Sequence, residues 1–154
     1  MELKGKGKSI AITSGLVALL ALVILVEISL FISGPARKYE ADIEEQKAAI
    51  QEKYQNIEQL TRHVFQYVVY IGQDDQNVVW FNEEAEAIIS KEKSTLQIEK
   101  AMQTVKNTYG FEGEVSLGYG YDNPVYVVIY EDYEIMLDYD TLKVVHYMNK
   151  GVTQ

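Results

Sequence analysis

Few residues of this 154-residue chain have the type and spacing for chemistry. The acidic pairs come first: Glu83 beside Glu84, and Asp138 two residues before Asp140. Two carboxylates flanking a sugar linkage can split it, one as acid and one as base or nucleophile, and converging oxygens can hold Ca²⁺. Both pairs fall in polar, turn-rich stretches, where a carboxylate is ordinarily solvated. The two histidines, His63 and His146, lie in separate β-rich segments and lack the usual zinc spacings. Cysteine is absent, which removes a disulfide framework, a thiolate metal site and a cysteine nucleophile together. Acyl transfer needs a nucleophile, a base and an oxyanion site in one cleft, yet G-x-S-x-G, S-x-x-K and H-E-x-x-H are all missing. The expectation is a protein that is not an enzyme and uses no metal or cofactor.

Two features suit binding instead. In VSLGYGY (115–121), strand alternation puts Val115, Leu117, Tyr119 and Tyr121 on one face and Ser116, Gly118 and Gly120 on the other. A face of small residues admits close approach, either by a helix of the same chain or at a bend, or by a partner's peptide. The second feature is Glu27, the only charge in a long apolar run. It either contacts another membrane helix or reaches up to the outer interface.

That run, 10–32, reads IAITSGLVALLALVILVEISLFI. As a helix it would extend about 34 Å, enough for a hydrocarbon core of about 30 Å. A secretory signal has a shorter apolar core of about 7–15 residues and a small-residue cleavage site; no A-x-A pattern follows here, so the segment reads as an uncleaved anchor. Lys4, Lys6 and Lys8 precede it and place residues 1–9 as a cytoplasmic stub, with the rest outside the cell membrane. The stub carries +2, the span −1 and the remainder −10, from 11 Lys and Arg against 21 Asp and Glu. An acidic outer part without a basic stripe is poorly suited to nucleic acid or anionic lipid, so a protein partner is expected.

The elements that must position these residues follow from periodicity. Pro35 suits a helix start, and Tyr39, Ile43, Ile50, Tyr54 and Ile57 form one apolar stripe after it. The stripe packs on the following strands or, as a dimer seam, leaves a homodimer open. EQLTRHVFQ, YVVYIG, NVVWFN and AEAIIS read as an antiparallel meander with a hairpin loop at Gln73 to Asn77. A second helix is expected from a capping box of Ser94 and Gln97 to a stop at Gly110. VSLGYGY, PVYVVIY, YEIMLDY and KVVHYMN form a second meander, with turns at Asn123-Pro124 and Asp138 to Thr141. YVVYI from Tyr67 and YVVIY from Tyr126, 59 residues apart, then align as equivalent strands of two modules, 35–91 and 92–152. The fold expected is α+β: a membrane helix followed by two tandem helix-plus-meander modules.

In this order of elements, with S-T-L-Q-I-E-K-A opening the second helix and DYDTLKVV closing the chain, the sequence resembles the TseB-like (YpmB-like) family of Firmicutes. The same two strings resemble the beginning and end of a PepSY-type module, whose ending is D-x-x-T-G-x-V-like; here Leu142-Lys143 stands where glycine is usual. The resemblance implies cystatin-like or PepSY-like modules and a regulator of cell-wall elongation that binds a class B penicillin-binding protein, a peptidoglycan transpeptidase. The other function considered is a PepSY-like inhibitor or chaperone-like restraint on an envelope protease or wall hydrolase.

Overall fold

The computed structural model describes residues 3–29 and 34–151. The chain divides into two compact units, Met1–Glu45 and Gln46–Gln154. In the first, α1 (Leu3–Glu27) leaves its large apolar side chains from Ile12 to Val26 exposed, as is Ile28 just past its end. Among the described residues no helix is long and apolar enough to cross a membrane. The expected span, 10–32, includes residues 30–32 and the side chains of 10 and 11, which lie outside the described residues, so only part of it is described.

Helix α2 (Gly34–Lys53) has Pro35 in its first turn, as the missing N–H of proline favours. The expected stripe is divided. Tyr39 is exposed, Ile50 is fully buried, and the helix ends at Lys53, so Ile57 reaches the core from a turn in which its N–H meets the Tyr54 carbonyl at 3.0 Å.

The larger unit is mixed α and β, with two four-stranded antiparallel sheets, each a meander in sequence order. The first comprises β1 (Glu58–Val64), β2 (Val68–Gln73), β3 (Asn77–Phe81) and β4 (Ala87–Glu92). After a short 3-10 turn (Lys93–Thr95) and α3 (Ile98–Tyr109), the second comprises β5 (Glu114–Gly120), β6 (Asn123–Tyr130), β7 (Tyr133–Asp138) and β8 (Val144–Asn149). The hairpin loop at Gln73 to Asn77 is where residue types place it. Asp74 Oδ1 accepts the Gln76 and Asn77 backbone N–H groups at 2.8 and 2.6 Å, which holds its carboxyl below the usual range.

Three local expectations are corrected. The β5–β6 turn is Tyr121-Asp122, at φ +50 and +68, rather than Asn123-Pro124, which begin β6. A two-residue turn with both centres left-handed matches strand twist, so register outweighed the turn signal of Asn-Pro. The capping box is absent. Ser94 sits in the 3-10 turn and donates to the Glu92 carboxylate at 3.0 Å, while the Gln97 N–H at the start of α3 is taken by the Tyr126 hydroxyl at 2.8 Å. A tertiary acceptor replaced a local one. The expected stop at Gly110 is observed, at φ +82 with its N–H on the Lys106 carbonyl.

The third correction concerns the paired strings. Tyr70 pairs with Phe81 beside a register shift at Trp80/Phe81, and Tyr126 pairs with Leu137 beside one at Met136/Leu137. The matching positions are therefore Tyr70 and Tyr126, 56 residues apart, and not Tyr67 and Tyr126. An offset of three exchanges the faces of the strand. With this match, each tyrosine looks toward the helix that precedes its sheet: the Tyr70 hydroxyl bonds the Gln46 side chain of α2, and Tyr126 bonds the N-terminus of α3.

One core joins the sheets. Val69, Ile71, Val78 and Trp80, from the face of the first sheet opposite Tyr70, pack with Tyr126, Val128, Ile135 and Leu137 of the second and with Ala101 and Val105 of α3. Burying side chains of this size contributes about 1.5–3 kcal/mol each.

Candidate functional site

Ser116, Gly118 and Gly120 do share one face of β5, opposite Val127, Val125 and Asn123 of β6. Close approach occurs there, and the chain itself makes it. The end of β1 and the residue just past it bring His63 and Phe65 over this face. A Cβ on Gly118 would lie 2.5 Å from Val127 Cγ2 and 2.8 Å from His63 Nε2, and one on Gly120 would meet Met136 and Phe65 at 3.4 and 3.5 Å. Gly118 and Gly120 are buried, while Ser116 is exposed. The small residues thus admit the first sheet against the second.

Hydrogen bonds lock this contact from both sides of the strand. The Trp80 indole N–H donates to the Gly118 carbonyl at 2.9 Å, and the Tyr119 backbone N–H donates to His63 Nδ1 at 3.2 Å. An Nδ1 that accepts requires a neutral imidazole with its proton on Nε2. Burial lowers the His63 pKa, with the Glu134 carboxylate acting in the opposite sense, and so favours the form the bond needs. His146 lies on β8 beside Met136, its ring 4.8 Å from that of Phe65, and its Nε2 is buried without a hydrogen bond. Both histidines are strand residues, as expected. The structure brings them to one face of the second sheet, which their sequence separation did not suggest.

The acidic pairs are used differently. Asp138 Oδ1 accepts the Thr141 N–H and hydroxyl at 2.8 and 2.7 Å, bonds that hold its carboxyl below the usual range. Asp140 reaches Lys91 of β4 at 3.0 Å. Glu83 and Glu84 are exposed on a loop ordered by Asn82, whose Oδ1 accepts the Glu84 and Glu86 N–H groups at 3.1 and 2.8 Å. Among the described residues no three His, Cys, Asp or Glu side chains group as a metal site. Glu27 is the last residue of α1 and is exposed.

Behind α3 lies a polar junction that sequence reasoning missed. The rings of Tyr126 and Tyr139 stack at 5.1 Å, Tyr139 shares a hydrogen bond with Thr95 at 2.8 Å, and burial pushes the Tyr126 hydroxyl up to about 12. A second missed feature is a run of rings at the far end of this sheet, in which Phe111 stacks on Tyr130 at 4.6 Å and Tyr109 on Tyr147 at 5.3 Å. Only their abundance, 12 tyrosines in the chain, hinted at such clusters. The chain matches no family model, no curated protein and no solved structure.

Proposed function

We propose that the chain is a single-pass, membrane-anchored extracytoplasmic adaptor that regulates cell-wall elongation by binding a class B penicillin-binding protein. In this reading its outer part is two copies of one cystatin-like or PepSY-like helix-plus-meander module. The observation that carries the anchor is α1. Its large apolar side chains from Ile12 to Ile28 are exposed, and a run of this kind suits lipid or other apolar helices as its surroundings. The duplication draws on the matched register shifts and on the two tyrosines, Tyr70 and Tyr126, each bonded toward its own preceding helix. The PepSY-like ending gains support from Leu142, which takes φ +56 where the related pattern has glycine.

The partner comes from the resemblance alone, so the test must identify it. Photocrosslinkers placed in the outer part of the chain in living cells should capture a transpeptidase; recovery of self-dimers only would refute the adaptor reading, and capture of a protease or wall hydrolase would favour the restraint reading. Topology is checked separately. Because the chain has no cysteine, Asp75→Cys should react with an impermeant maleimide in intact cells and Lys4→Cys only after lysis.

A further inference from the structure

A second surface of the larger unit has the shape and charge of a docking cleft. It lies between the first sheet and the tip of the β5–β6 hairpin, with a volume of about 310 Å³. Its apolar walls are Tyr67, Ile88 and Tyr119; Tyr67 and Ile88 are 57% and 43% exposed, large side chains left in water on one rim. Its charged wall is Glu83, Glu84 and Asp122, and no lysine or arginine lines it. Among the described residues, the ion pairs of Lys91 with Asp140, Lys106 with Glu112 and Lys150 with Glu134 involve none of these three carboxylates.

We infer that this cleft docks an extended peptide of a partner protein through an arginine side chain. The methylene stem of arginine covers Tyr67 and Ile88, its planar cation lies against a tyrosine face, and its N–H fork meets the carboxylates. A volume near the lower end of ligand sites, about 300 Å³, suits one long side chain and its neighbours, not a cofactor. The loops are prepared for this. Asn82 fixes the turn that presents Glu83 and Glu84, and Asp122 is fixed at φ +68 in a two-residue hairpin. Burial raises the Tyr119 hydroxyl, and Asp122 and Tyr67 add to that in turn, so the tyrosine stays a neutral donor beside the acids. The inference rests on the reading of this body as a protein-binding module and is independent of which envelope protein it binds.

The test uses the full chain in nonionic micelles and fluorescence anisotropy of a labelled peptide, acetyl-Leu-Arg-Leu-Ala-Arg-Leu-amide, against its citrulline counterpart. The arginine peptide should bind at least about tenfold more tightly than the citrulline peptide, and more weakly as salt is raised. Glu83→Gln, Glu84→Gln and Asp122→Asn together should remove that preference; asparagine keeps the left-handed tolerance the hairpin needs. Tyr67→Ala should weaken binding several-fold, and Glu112→Gln with Glu114→Gln, acids outside the cleft, should leave it unchanged. Equal binding of the two peptides, no binding of either, or an equal loss in the control variant overturns the inference. So does self-association abolished by Arg37→Gln, which would assign the cleft to a second copy. None of these outcomes touches the crosslinking test above.

Discussion

The two sheets share strand order and a register shift at matching places, yet the faces turned away from their helices have different fates. In the first sheet that face, Val69, Ile71, Val78 and Trp80, is sealed against the second half of the unit. In the second it holds Val125, Val127 and Met136, covered at one end by Phe65 and His63, and leaves Ile129 and Met148 47% and 39% exposed at the other. One architecture therefore serves as a sealed joint in one place and as a half-covered face in the other. The glycines of β5 belong to the joint: they make room for His63 and for the Trp80 bond, which leaves the exposed rims as the open surface.

The comparison is most sharply tested at matched positions. Trp80 pairs with Ile71 as Met136 pairs with Val127, and both are fully buried. Trp80→Ala should cost about 4 kcal/mol in urea unfolding, because it opens a cavity and orphans the Gly118 carbonyl. Met136→Ala should cost less, about 2–3 kcal/mol, since it removes a smaller side chain that makes no hydrogen bond. Equal losses would mean that the two faces are equally sealed.

Next in size is the glycine pair. Gly118→Ala forces its Cβ against Val127 and His63 at under 3.0 Å and should cost about 2 kcal/mol. Gly120→Ala finds ordinary contacts from 3.4 Å outward and should stay within about 0.5 kcal/mol of the native chain. If both substitutions were neutral, β1 would not be seated on this face.

These sites also mark where the sequence was legible. Strands such as NVVWF and PVYVVIY could be placed to within a residue or two, because runs of β-branched and aromatic residues admit little else. The small-residue face of β5 could be read from alternation. Its occupant could not, since His63 lies 55 residues earlier and nothing local links the two. The capping box failed for the same reason, because Tyr126 arrives from another strand to take the Gln97 N–H. The acidic cleft has no local signature, because its walls come from three segments, around Tyr67, Glu83 and Tyr119.

A smaller effect is expected from pH. The folded His63 pKa lies below its unfolded value near 6.5, so the unfolded chain binds the proton more readily. Its contribution is fully present above pH 6.5 and is lost as pH falls below that toward the lowered folded value. Stability should decline on mild acidification, well above the range where Asp74 and Asp138, held below 3.8, begin to protonate. His63→Gln should flatten the curve in that upper window only. An unchanged slope would show that the joint tolerates a charged imidazole.

The smallest contrast separates backbone strain from packing in the two closing loops. Ala85 and Leu142 both sit at φ +56, and their N–H groups meet the carbonyls of Asn82 and Asp138 at 3.2 and 2.9 Å. A left-handed L-residue costs about 1–2 kcal/mol, and glycine relieves this while adding about 0.4–1 kcal/mol of unfolded-chain entropy. Ala85→Gly loses almost no side chain and should raise stability by about 0.5 kcal/mol. Leu142→Gly gives up a half-buried side chain packed on the joint, so the relief is offset and stability should fall by about 0.5 kcal/mol. Opposite signs in thermal melts would mean that Leu142 is kept for its contact with the core at a position where the backbone favours glycine. Equal gains would mean that strain alone governs both loops, and that the second sheet has no more need of its loop side chain than the first.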